Sequence, residues 1–342
     1  MKRTESKHYF LSFFILKCII QKFQIIIMNN TDSQPTTVNC QLERPTLLVL
    51  LGPTGVGKTN ISLQLAENLG CPIVSSDSRQ FYHELKIGTA APNEEQLRRV
   101  KHYFIGSHSI QDEYNAGQYE KDAIQLLDEL FKKHKVVMLV GGSMMYIDAV
   151  CNGMDDIPNV DAETRAFWQK QYADFGLEFI QNELKRLDPK HFELVDIQNP
   201  KRIIHALEIC SMTGKPYSDL RTGQRKLRNF NILKIGLNRS RPELYDRINK
   251  RVDEMMTEGL LQEAEKFYQY KSLNTLNTVG YKELYEYMDG NWTLDFAINM
   301  IKQDSRRYAK RQMTWFNRDK DILWFQPEEL EAKIDLIVQN IK

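Results

Sequence analysis

Leu47-Leu48-Val49-Leu50-Leu51-Gly52-Pro53-Thr54-Gly55-Val56-Gly57-Lys58-Thr59 is the stretch on which the fold turns. Five apolar residues run into the pattern G-x-x-x-x-G-K-[ST], and an amphipathic segment from Asn60 to Asn68 follows. That is the strand, loop and helix order of a phosphate-binding loop. Its glycines let backbone N–H groups turn inward around an anion, and the helix start adds the positive end of its dipole. Lys58 brings a mobile positive charge, and the Thr59 hydroxyl is placed to ligate Mg²⁺. The flanking strand and helix make a chance match a poor explanation. The segment Gly52, Pro53, Thr54, Gly55, Val56, Gly57, Lys58 and Thr59 is therefore expected to hold a polyphosphate.

Downstream, Pro72 to Ser75 reads as a short buried strand that ends in the polar cluster Ser76-Asp77-Ser78-Arg79-Gln80. In a doubly wound sheet the carboxyl ends of neighbouring strands share one crevice with the phosphate loop. On residue type alone, Asp77 fits two roles equally: a group beside the polyphosphate, or a helix N-cap. Gln118 to His134 has helical periodicity, and Val136 to Val140 is another buried strand, closing on Gly141-Gly142-Ser143. Strands alternating with helices predict a P-loop NTPase-like α/β fold, a parallel sheet flanked by helices. From Asp155 to Gly223 the pattern is helical only, and Asn231 to Leu237 returns to strand character. An all-helical insertion domain at 155–223 is therefore expected between core segments 46–154 and 224–342, the second with C-terminal helices.

The chain has 342 residues and a formal net charge of +1, which excludes a globally basic nucleic-acid binder. Cys18, Cys40, Cys71, Cys151 and Cys210 form no C-x-x-C pair; this argues against a zinc site or a disulfide framework and fits a reducing cytoplasm. Residues 1–45 differ from the rest and are expected to be an N-terminal extension. Within it, Phe10 to Met28 is apolar but interrupted by Lys17 and Lys22, costly inside a membrane, and lacks a clear signal-cleavage site. Met28 reads as an alternative start, which leaves the residues before it without a folded role. No membrane attachment is expected.

Positive charge is concentrated locally. Between Asn199 and Arg251 there are thirteen Lys/Arg against four Asp/Glu. Arg306, Arg307, Lys310 and Arg311 form a second cluster, interleaved with Tyr308, Trp315 and Phe316. Basic side chains among aromatics are the footprint of a nucleic-acid surface, with charges for phosphates and rings for unpaired bases.

With these residues assembled, the chain resembles the tRNA dimethylallyltransferase family from about Thr46 to Phe325. The resemblance is carried by the loop Gly52–Thr59 and by Ser76-Asp77-Ser78-Arg79-Gln80, Ile87-Gly88-Thr89-Ala90 and Gly141-Gly142-Ser143-Met144-Met145-Tyr146. It continues through Asn199-Pro200-Lys201-Arg202, Ala206-Leu207-Glu208, Val279-Gly280-Tyr281-Lys282-Glu283 and the block Tyr308 to Phe316. It implies that the loop holds the diphosphate of dimethylallyl diphosphate with Mg²⁺ at Thr59, and that Arg247 joins Lys58 there. It implies Asp77 as the general base for an adenine N6 amine. Asp77, Ser78, Arg79, Gln80, Ser143, Arg165, Lys201, Arg202, Lys310 and Arg311 become the tRNA-facing set, with the anticodon stem-loop as partner and a monomeric cytoplasmic enzyme as the expected form. Ser143 stands where the family usually has Thr, His205 where it has Arg, and Ala91 where it has Lys. No Cys/His finger follows the core, which resembles bacterial members. Competing expectations are a small-molecule kinase using the same loop for ATP, an enzyme prenylating free adenine nucleotides, and an RNA-binding protein that senses a nucleotide.

Overall fold

The computed structural model describes residues 44–341. All but the last two residues of the expected N-terminal extension, Phe10 to Met28 included, lie outside the described residues. Strand β1 (Thr46–Leu51) runs through the glycine loop into α1 (Lys58–Leu69), followed by β2 (Ile73–Ser75), α2 (Glu94–Arg99), β3 (His102–Tyr103), α3 (Ala116–Phe131), β4 (Val136–Gly141) and α4 (Met144–Asn152). Helices α5 (Ala162–Leu187), α6 (Pro189–Leu194), α7 (Pro200–Thr213) and α8 (Tyr217–Leu220) come next. The chain then forms β5 (Asn231–Leu237), α9 (Arg241–Thr257), α10 (Leu260–Lys266), α11 (Tyr281–Met288), α12 (Leu294–Phe316) and β6 (Leu323–Phe325). Helices α13 (Pro327–Glu331) and α14 (Ile334–Ile341) close it. Among the described residues no helix is long and apolar enough to cross a membrane.

The six strands make one parallel sheet in the order β3-β2-β4-β1-β5-β6. β1 lies inside it, and its unbroken apolar run follows from having both faces covered. Leu47, Val49 and Leu51 enter one core with Tyr119, Ala123 and Leu127 of α3. Leu48 and Leu50 enter the other with Ile61 and Leu65 of α1 and Leu244 and Ile248 of α9. Leu330, Ile334 and Ile337 extend this second core, so the C-terminal helices cover the α1 side. Each such side chain contributes about 1.5–3 kcal/mol on leaving water. Strand β6, Leu323–Phe325, forms one edge of the sheet beside β5. The opposite edge, β3, is only two residues long and offers no periodicity to read.

The chain divides into two compact units, Asn152–Leu227 and the remainder. The smaller unit packs α5 against α7 around Trp168, Ile180, Leu184, Ile203, Ala206 and Leu207. Gly176 is non-helical within α5 (φ 78°, ψ −170°), so the helix is kinked there. Asp188 fastens this unit: its buried carboxylate accepts the N–H groups of His191 and Ser218 and the Ser218 hydroxyl.

Candidate active site

The loop after β1 reaches α1 through Gly57, whose φ of +108° is a left-handed conformation that disfavours a side chain. No side chain caps α1. Its first-turn N–H groups, which have no partner within the helix, are left to face an anion. The Lys58 ammonium donates to the carbonyls of Gly52 and Pro53, both at 2.9 Å. Burial lowers its pKa to about 8; the Asp77 carboxylate works against that shift and Arg251 works with it.

Three arginines hold the rim of the loop. Arg239 Nε donates to Val56 O at 3.0 Å, Arg247 Nε to Gly55 O at 2.9 Å, and Arg251 contacts Thr54 Oγ1 at 3.4 Å. Arg239 is neutralised by Glu243 and Glu328, whereas Arg247 stands exposed at the mouth. Arg251 is desolvated, and the nearby Asp77 carboxylate supports its charge.

Asp77 follows β2. Its Oδ1 accepts the Arg79 N–H at 3.0 Å, closing a turn over Ser78 to Phe81. No helix begins there, so capping reduces to this side-chain turn. The Ser78 N–H donates to Ser143 Oγ at 2.9 Å, and the Ser143 hydroxyl donates to Ser78 Oγ at 3.0 Å. The Tyr308 phenol is pushed up to about 12 by burial and by Asp77, and a hydrogen bond to Ser143 opposes the shift. The Asp77 carboxylate is thus close enough to Lys58, Arg251 and Tyr308 to act on the charge of each. At the carboxyl ends of β1 and β4, α9 meets the loop through Arg247 and Arg251, and α12 meets it through Gln312.

Other residues of the expected set are placed as follows. Arg79 reaches Thr275 O at 3.1 Å, and Gln80 Nε2 reaches Thr89 O and Ala90 O at 3.3 and 3.2 Å. Thr59, Lys310 and Arg311 are exposed in the larger unit; Arg165, Lys201 and Arg202 are exposed in the smaller. Arg311 lies 5.8 Å from the Tyr308 ring centre. The density of basic residues overstated the free positive surface. Of the thirteen between Asn199 and Arg251, Arg228 and Lys234 are nearly buried against Glu120 and Asp319, and Arg239, Arg247 and Arg251 bind the loop.

Gln312, Arg251 and Tyr308 were not singled out as site residues from sequence. The fully buried Gln312 accepts the Thr54 N–H with Oε1 at 2.9 Å and donates from Nε2 to Gly142 O at 2.8 Å. A weak signal existed: Arg251 is one turn beyond Arg247 on α9, and Gln312 one turn beyond Tyr308 on α12, so each pair shares a helix face.

The model of the IPP transferase family matches residues 80–319. The chain belongs to the IPP transferase family. It is 59% identical over 297 residues to tRNA dimethylallyltransferase 1 of Bacteroides fragilis, covering 87% of this chain and 99% of that protein. The corresponding protein of Bacteroides thetaiotaomicron is 60% identical over 298 residues, covering 87% and 97%. Among solved structures, the full-length tRNA isopentenylpyrophosphate transferase of Bacillus halodurans superposes with a TM-score of 0.63 at 33% identity, over 87% of this chain and 97% of that one. A eukaryotic dimethylallyltransferase captured acting on tRNA shares the fold, with a TM-score of 0.73 at 24% identity over 86% and 80%. The phosphate loop and Asp77 precede the segment that the family model matches.

Proposed function

We propose that the protein transfers the dimethylallyl group of dimethylallyl diphosphate to the exocyclic N6 of the adenosine immediately 3′ of the anticodon, in tRNAs reading codons that begin with U. The observation that carries this is the convergence of Asp77 with Lys58 and Arg251. A base for the acceptor amine and the charges for a leaving diphosphate then share one crevice. The family membership and the names of the relatives point the same way.

The allylic C–O bond breaks and its electron pair leaves with the diphosphate. The N–H groups at the start of α1, with Lys58 and Arg247, stabilise that growing charge, the kind of preorganised electrostatics that dominates many enzyme barriers. The N6 lone pair forms the new C–N bond, and Asp77 accepts the proton released from the amine. Tyr308, whose raised pKa keeps its hydroxyl protonated well above neutral pH, lies near Asp77 and hydrogen-bonds Ser143. The adenine leaves its stacked loop to enter the crevice. Ser78, Arg79, Gln80 and Ser143 border its path, and Arg165, Lys201, Arg202, Lys310 and Arg311 bind tRNA phosphates.

Mg²⁺ fits the donor set present. Thr59 offers a hard hydroxyl oxygen at the loop end, exposed to solvent, and Mg²⁺ commonly takes few protein ligands beside substrate phosphates and water. When bound, it would add charge neutralisation on the diphosphate. The enzyme is proposed to act as a cytoplasmic monomer.

The test supplies Mg²⁺ and radiolabelled dimethylallyl diphosphate with unmodified bulk tRNA, AMP and ATP as separate acceptors. Label in tRNA alone is expected. Label in AMP or ATP would assign the protein to nucleotide prenylation, and ATP consumption without label anywhere would make it a kinase.

A further inference from the structure

Glu263 on α10 is a buried carboxylate outside the crevice, and none of the proposed chemistry uses it. Its two oxygens accept three successive backbone N–H groups: Lys86 at 3.0 Å, Ile87 at 3.0 and 3.1 Å, and Gly88 at 3.0 Å. The Tyr281 hydroxyl donates to the same carboxylate. Successive N–H groups turned to one point form an anion-binding nest, and here the protein supplies the anion from its own chain. Gly88 allows the approach: a Cβ there would lie 2.6 Å from the Tyr281 ring.

The held turn is linked to the Asp77 segment through Gln80. Ala90, next along it, sits in the left-handed region at φ 45°, a strained conformation for a residue with a side chain, kept only where the surroundings enforce it. The carbonyls of Thr89 and Ala90 receive the two Gln80 amide bonds. Gln80 also donates its own N–H to Asp77 O at 3.2 Å. Its Oε1 lies 3.4 Å from Ser75 Oγ, which accepts the Asp77 N–H at 3.3 Å. A continuous chain of hydrogen bonds therefore runs from Glu263 through residues 86–90 and Gln80 to the backbone on both sides of Asp77. The phosphate loop takes no part in this chain.

We propose that Glu263, with Tyr281, is a positioning residue for Asp77: it fixes the 86–90 turn so that Gln80 aims the Asp77 carboxylate at the acceptor amine. This rests on Asp77 being the base. Glu263→Gln keeps the shape but turns an amide N–H₂ toward donors that need an acceptor. Tyr281→Phe removes one donor and leaves the carboxylate in place.

The test measures single-turnover transfer from dimethylallyl diphosphate to tRNA, with the amplitude normalised by titrating donor sites. Glu263→Gln, Tyr281→Phe and Asp77→Asn are compared singly and in combination. Glu263→Gln is expected to slow the rate about tenfold or more, and Tyr281→Phe about threefold, with KM for dimethylallyl diphosphate within about twofold of wild type. In the Asp77→Asn background both losses should vanish, because there is no base left to aim. Losses that multiply instead, or a Glu263→Gln rate at the wild-type level, would overturn the proposal. Should Glu263→Gln not fold, Tyr281→Phe decides by the same criterion. An Asp77→Asn protein at full rate would remove the base assignment itself, which is distinct from multiplying losses beneath a slow Asp77→Asn.

Discussion

Gln312 Oε1 accepts the backbone N–H of Thr54 at 2.9 Å, across 258 residues of sequence. The other end of the same amide donates to Gly142 O, so one buried side chain ties the phosphate loop to the turn after β4. Gln312→Leu leaves both backbone groups without that partner, at about 1–3 kcal/mol each. The variant is expected to lose about 2–4 kcal/mol in denaturant unfolding and to raise KM for both substrates. A loss below about 0.5 kcal/mol would show that the loop holds its shape without this bond.

The Lys58 pKa of about 8 has a definite sign. Below that pH both folded and unfolded chains carry the proton, and Lys58 adds nothing to the pH dependence. Between about 8 and the ordinary 10.5 only the unfolded chain keeps it, so this group makes stability rise with pH there. A bound diphosphate favours the charged lysine and raises its pKa again. Binding just above pH 8 should take up a proton, measurable by calorimetry in two buffers of different ionisation enthalpy, and Lys58→Met should abolish the uptake.

Arg247 and Arg239 both touch the loop but differ in what they can offer a ligand. Arg247→Ala should lower kcat/KM for dimethylallyl diphosphate by about 10- to 100-fold with little change in KM for tRNA. Arg239, already paired with Glu243 and Glu328, should when replaced by Ala cost mainly stability. Steady-state kinetics beside thermal unfolding of the two variants separates these outcomes.

The basic residues divide in the same way. Lys201→Ala and Arg202→Ala should each weaken tRNA binding and reduce the slope of log affinity against log salt by about 1. Arg228, whose side chain is 10% exposed beside a Glu120 side chain at 6%, should leave that slope unchanged on replacement by Met. It should instead destabilise by about 3–5 kcal/mol, because the buried Glu120 carboxylate loses this ion pair and the Ala149 and Val150 carbonyls lose their donor. Filter binding across a salt series and unfolding in urea check the two halves of this contrast.

The fold was legible where the physics is local. A five-residue apolar run followed by a glycine loop and an amphipathic helix dictates β1, the phosphate loop and α1 within one continuous stretch. The two-residue β3 carries no pattern, and the role of Gly176 inside α5 shows only in its backbone angles. That Lys58 and Asp77 come near each other could be read from the ends of their strands. The roles of Gln312, Arg251 and Glu263 could not, because each acts on groups far away in sequence, and residue type does not reveal which partner a distant side chain will meet. The basic count erred for a related reason: sequence gives charge, whereas burial against Glu120 and Asp319 decides whether that charge remains available.

The measurement that bears most directly on the central claim compares wild type with Asp77→Asn for two quantities: affinity for unmodified tRNA and single-turnover transfer from dimethylallyl diphosphate with Mg²⁺. One crevice that both releases diphosphate and deprotonates N6 predicts that affinity stays within about threefold while transfer falls about 10²- to 10⁴-fold. Transfer at the wild-type rate, or loss of transfer fully matched by loss of tRNA affinity, would contradict the assignment of chemistry to Asp77.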